Sequence, residues 1–101
     1  MEIQVVKCIK LLVHTTDARV AEFEIGPESQ GKAHHHSIVS EHCFCLSGRL
    51  QLKADGTVYL LDPGDSLEIG AGVSHQVSNS GKNSCRYLVV QYGGAYDFIA
   101  V

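Results

Sequence analysis

Residues 31–48 read GKAHHHSIVSEHCFCLSG, and the polar residues in this stretch decide how the rest of the chain is read. His34 and His36 stand two apart. In an extended strand alternate side chains point to opposite faces, so these two imidazoles share a face and His35 takes the other. Glu41 opens a second alternating run that continues to Leu46. With Glu41 inward, Cys43 and Cys45 also point inward, while His42, Phe44 and Leu46 face the other way. Two imidazoles with a carboxylate close behind suit a divalent transition metal. A fourth donor, His75, lies downstream in GAGVSHQVSN.

Outward from this stretch the chain breaks into short apolar or alternating runs separated by Gly, Pro, Asp and Asn. Ile3 to Val6 and Ile9 to Val13 are rich in β-branched residues and leucine. Val20 to Ile25 alternates, with Ala21, Phe23 and Ile25 on one face and Glu22 and Glu24 on the other. Glu28 to Lys32 reads as a polar loop, and Ala33 to Ile38 as the strand holding the histidines. Arg49 to Lys53 and Thr57 to Leu61 flank Asp55-Gly56, a hairpin signal because both residues tolerate positive φ. Ser66 to Ile69, Val73 to Ser78 and Cys85 to Tyr92 follow, and Asp97 to Val101 adds a last strand. Many short strands with tight turns and almost no helical periodicity predict an all-β fold, an antiparallel barrel or two-sheet jelly roll.

The chain has 101 residues and a net charge of −3, which predicts one domain over residues 1–101. A chain of this size buries about 65% of its unfolded surface, enough for one core. Charges of both signs are scattered with no basic stripe, which argues against a nucleic-acid partner. No apolar run approaches the ~20 residues of a membrane span. MEIQVVKCIK places an acid and lysines around a short apolar run and reads as a strand rather than a signal peptide. The expected location is cytoplasmic, with the four cysteines reduced. Cys43 and Cys45 share a strand face, a spacing that does not favour a bond between them. They read as small buried apolar residues, with a thiolate pair on a soft metal as the alternative.

The histidine stretch resembles the first motif of the cupins, G-x5-H-x-H-x(3,4)-E-x6-G. His34-x-His36, four residues, Glu41, six residues and Gly48 match its spacing. Gly64, Gly72, His75 and Asn79 match the second motif, G-x5-P-x-G-x2-H-x3-N. Fifteen residues, Arg49 to Pro63, lie between the motifs, similar to the spacer of compact microbial cupins. Glu28 stands where the first motif opens on glycine, and Gly70 replaces the proline of the second. Both departures concern turns, not metal donors. The resemblance implies a double-stranded β-helix and a metal held by His34, His36, Glu41 and His75. Three imidazoles and a carboxylate accommodate iron, manganese, nickel, zinc or copper, whereas magnesium and calcium prefer all-oxygen shells.

Small cupins of this kind include dioxygenases, isomerases, decarboxylases and lyases acting on small oxygenated organic acids or diketones. The resemblance therefore implies a metalloenzyme, with Glu41 as a catalytic proton carrier. Cysteine-oxidising cupins usually lack this glutamate, which argues against that branch. The alternative is a binding or sensing module that holds a small ligand without turnover. Tyr59, Tyr87 and Gln91 are second-tier polar candidates on strands that line or flank the barrel. Finally, the first segment is apolar on both parities, Ile3, Val5, Ile9, Leu11 and Val13 against Val6 and Leu12. A strand with one wet face would alternate, so a second copy of the chain is expected to cover it. Small cupins resemble this picture in pairing through N-terminal strands. The competing arrangement is a monomer whose segment Tyr92 to Val101 folds over the same face.

Overall fold

A computed structural model describes residues 6–101. Eleven strands occur in it: β1 (Val6–His14), β2 (Ala18–Ile25), β3 (Ser29–Gln30), β4 (His34–His35), β5 (Ser40–Ser47), β6 (Leu50–Ala54), β7 (Thr57–Leu61), β8 (Ser66–Ile69), β9 (His75–Asn79), β10 (Cys85–Tyr92) and β11 (Ile99–Ala100). They form two antiparallel sheets, β1-β2-β10-β5-β8 and β11-β4-β9-β6-β7, with β3 added beside β9. The fold is all-β, as the many short strands and tight turns predict, and it is the antiparallel double-stranded β-helix that the motif resemblance implies.

The register explains how one face of the first sheet becomes an interior wall. Arg19 pairs with Gln91 and Gln91 with Glu41; one step along, Ala21 pairs with Val89 and Val89 with Cys43. Phe23, Tyr87 and Cys45 form the next row. Directly opposed residues share a face, so each row points inward as a unit. Below the histidines the rows close into a core of Ile25, Cys43, Cys45, Leu50, Leu52, Cys85 and their neighbours. Leu50 and Leu52 are both fully buried, and each contributes about 1.5–3 kcal/mol by leaving water. Turn chemistry sets the strand ends. Asp55 and Gly56 both adopt positive φ, 49° and 78°, in the β6–β7 hairpin. Gly48 has φ 76°, and a Cβ there would lie 3.0 Å from the Ser84 carbonyl oxygen and 3.1 Å from the Cys85 Cα.

Four expectations are corrected. The histidine segment is regular only at His34–His35, because the chain beyond it is gathered by bonds from Ser37 to Asp97 instead of a ladder. The expected polar loop at 28–32 contains β3, held by backbone pairing to β9 that requires no particular side chains. The second initial apolar run lies in one bulged strand that begins at Val6, with irregularities between Cys8 and Lys10 and between Leu11 and Val13; Ile3 to Val5 lie outside the described residues. The segment after Tyr92 does not cover β1. It crosses to the other sheet, where Ile99 and Ala100 pair with His35 and His34.

Consequently Ile9, Leu11, Leu12 and Val13 stay 40–54% exposed on an edge strand. No helix of the described residues is long and apolar enough to cross a membrane.

Candidate metal centre

His34, His36 and His75 arrive from three directions. His34 lies on β4 and opposes His75 on β9, and His36 follows where the β4 ladder has ended. One ring nitrogen of each lies within 4.8 Å of the other two. The tautomers are set by backbone carbonyls, which only accept. His34 Nδ1 donates to the Lys32 carbonyl at 2.9 Å, His36 Nδ1 to Asp97 at 2.6 Å and His75 Nδ1 to Val73 at 3.0 Å. A neutral ring that donates through Nδ1 keeps its lone pair on Nε2. This outer bonding is the arrangement that orients histidines toward a metal.

Glu41, on β5, lies against two of the three histidines. Its Oε1 lies 3.1 Å from His36 Nε2 and accepts from the Gln91 amide at 2.8 Å, and its Oε2 is 3.5 Å from His75 Nε2. Burial opposes a charge on Glu41, but the bond that His36 donates in its doubly protonated form, the nearby His75 and the Gln91 amide outweigh it and hold the carboxyl below its usual range. Burial likewise opposes a charge on His36, yet Glu41 and the Asp97 carbonyl raise its pKa above the ordinary histidine value. His34 moves the other way, lowered mainly by burial. His75 Nε2 is buried with no hydrogen-bond partner among the described residues. Its ring proton is already committed to Val73, so a bare lone pair faces the Glu41 carboxylate. A buried acceptor beside an anion is costly unless a cation lies between them. The donor set therefore fits a divalent metal.

The cluster opens into a cavity of 450 Å³ whose wall also includes Arg19, Lys32, Phe23, Tyr87, Tyr96 and Phe98. Phe98 stacks on His34 with ring centroids 4.2 Å apart, and Tyr96 lies 5.3 Å from His36.

The sequence profile of the cupin domain matches residues 21–91, about seven-tenths of the chain. The chain belongs to the cupin family. Among solved structures this cupin is similar to a conserved double-stranded β-helix protein from Klebsiella pneumoniae, with TM-score 0.81 and 23% identity over 90% of this chain and 80% of that one. The cupin domain of an XRE-family transcriptional regulator from Enterobacter cloacae aligns at TM-score 0.75 and 22% identity, covering 87% of this chain and 94% of that one. A cupin-superfamily sugar phosphate isomerase from Silicibacter pomeroyi aligns at 0.70 and 20%, covering 83% and 68%. At these identities the likeness is one of fold. No curated protein matches the sequence significantly.

Of the four sequence-predicted donors of this cupin, the three histidines form the cluster and Glu41 lies against His36 and His75, while His35 and His42 stay outside it. His42 Nε2 lies 3.2 Å from Ser66 Oγ, and its ring stacks on Phe44. Gln91 and Tyr87 line the cavity, whereas Tyr59 is exposed on β7, the last strand of its sheet, away from the cavity. Cys43 and Cys45 sit fully inside the core, and burial pushes the Cys43 thiol well up, which keeps it protonated. Arg19, Tyr96, Asp97 and Phe98 were not among the predicted site residues. Arg19 was within reach of parity, since extending the Ala21, Phe23, Ile25 alternation back by two places puts it inward. The three residues of the C-terminal segment carry no comparable signal.

Proposed function

We propose that His34, His36, Glu41 and His75 hold one divalent transition metal, and that the chain is a metalloenzyme of dioxygenase, isomerase or lyase type acting on a small oxygenated organic molecule. The observation that carries this reading is the buried, unpartnered Nε2 of His75 facing a carboxylate. When bound, the ion supplies Lewis-acid polarisation of a substrate oxygen. Around it, Gln91 orients Glu41, and Glu41 is the residue able to hold or pass a proton at Oε1 or Oε2. Tyr96 and Phe98 pack their rings against His36 and His34. Elemental analysis of protein purified without added metal tests the first half of the reading. Oxygen uptake and product formation with a panel of diketones and phenols test the second.

A binding or sensing module is the second reading. Glu41 is the only acid among the cavity-lining residues described, and it is already engaged by His36 and Gln91. Stoichiometric ligand binding without turnover across the panel would select it.

Metal affinity is expected to fall as the solution is acidified. The raised pKa of His36 means that its proton competes with the ion from a higher pH than an ordinary histidine would allow. Each displaced proton costs about tenfold in affinity per pH unit below the relevant pKa. The prediction is a decline of about tenfold or more from pH 7 to pH 5, measured by competition with a chelator of known pH dependence. A flat profile would contradict imidazole ligation.

The protein is also proposed to be a homodimer joined through β1. The exposed Ile9, Leu11, Leu12 and Val13 form an uncovered apolar edge, and sheet edges of this kind pair with other chains unless blocked. Sedimentation at micromolar concentration should give twice the chain mass, reduced to one chain in a Leu11→Lys, Leu12→Lys variant. A wild-type mass of one chain would remove the dimer.

A further inference from the structure

The cavity holds a guanidinium that the metal site does not use. Of the three arginines in the sequence, Arg49 and Arg86 are paired with Asp62 and Glu22. Arg19 has no carboxylate partner among the described residues and instead lines the cavity. It is held there from two sides. Its Nη1 donates to Gln91 Oε1 at 3.2 Å, and its guanidinium carbon lies 4.4 Å from the Tyr96 ring centroid and 5.9 Å from that of Phe23. A stacked guanidinium retains its in-plane donors. Among the described residues only the bond to Gln91 uses one of them, which leaves a donor edge directed at the cavity. Arg19, Gln91 and Glu41 also form one inward cross-strand row, which places Arg19 two strands from Glu41 on the same wall, with the histidines on the facing sheet.

We propose that Arg19 is the anion anchor of this cavity and that the ligand is a small monocarboxylate with a compact apolar body. The carboxylate takes the free edge of Arg19 in the planar geometry that suits such a pair. The body lies against Phe23, Val89 and Phe98, all of which line the same cavity. The planar guanidinium fork matches the two coplanar oxygens of a carboxylate, and Lys32 is the other side-chain cation on the wall. This proposal deepens the metalloenzyme reading and rests on it only for the ligand's second point of attachment, at the histidines.

The test is a calorimetric titration of benzoate, benzamide and phenyl phosphate into the protein as purified and after chelator treatment. Wild type is compared with Arg19→Lys, Arg19→Gln and Lys32→Gln, and the metal content of each sample is measured. Wild type should favour benzoate over both other compounds by about 10-fold to 100-fold, the range of a charge-assisted pair. Arg19→Gln should erase the preference for benzoate over benzamide, with and without metal. Arg19→Lys, which keeps the charge and loses the fork, should fall between, and Lys32→Gln should retain the preference. The proposal is overturned if wild type shows no such preference, if Arg19→Gln keeps it, if Lys32→Gln is the change that removes it, or if phenyl phosphate binds more tightly than benzoate. Failure of the metal reading looks different: protein that contains no metal and takes up none, whatever its preference for benzoate.

Discussion

His75→Ala is expected to abolish stoichiometric metal binding while leaving a folded barrel. Removing an outer partner of a metal ligand typically costs about 10–100-fold in affinity, so removing a ligand should cost at least about 100-fold. Among the described residues His75 Nε2 has no hydrogen-bond partner, so the change breaks no long-range hydrogen bond. Its one ring bond, to the Val73 carbonyl, is local. His34→Ala and His36→Ala should match it in metal content, with a larger stability loss for His36, whose ring bridges Glu41 and the Asp97 carbonyl. The informative contrast lies within the histidine run itself. His35→Ala should retain the ion, because His35 stands on the other parity and outside the cluster. His42→Ala should do the same. Elemental analysis of the five proteins, with thermal unfolding to confirm the fold, checks the prediction. Full metal content in both His36→Ala and His75→Ala would show that the cluster is not the site.

That contrast also shows which parts of the protein were legible from residues. Strand parity is a strictly local rule, so it separated His34 and His36 from His35, and Glu41 from His42, without knowledge of the fold. Asp55-Gly56 named its own hairpin because few residue pairs adopt positive φ twice in succession. Bringing His75 to the others is a long-range event, and there the motif spacing carried the expectation. What the sequence did not carry is pairing that uses only backbone atoms. Ser29 and Gln30 extend a sheet through main-chain bonds, so their polar side chains read as loop. The β1 bulges absorb the mismatch between an irregular apolar run and a two-residue period, and no single residue announces them. The most consequential omission is the C-terminal segment. Its contribution to His36 is the carbonyl oxygen of Asp97, a group that every residue has.

Ending the chain after Gly94 is expected to keep the barrel and weaken metal binding by about 10–100-fold, the usual cost of losing outer partners. Three supports would go together. The Asp97 carbonyl fixes the His36 tautomer; without it the ring is free to donate through Nε2 and to turn its lone pair away from the cluster. Phe98 stacks on His34, and Ala100 pairs with His34 across the end of the sheet. The core lies elsewhere, among residues between Ile25 and Val89, so thermal unfolding should move much less than metal affinity. Asp97→Ala is the graded counterpart. It removes the carboxylate that accepts from the Ser37 amide at 2.9 Å and from the Ser37 hydroxyl, but it leaves the carbonyl that caps His36. Its effect on affinity should therefore be smaller than that of truncation. Chelator competition on wild type, Asp97→Ala and the truncated chain reads the series. Equal affinity in all three would mean that the histidines orient themselves without the segment. A truncated chain that unfolds would leave Asp97→Ala and Phe98→Ala, both compatible with an intact backbone, to show the same ordering at reduced size.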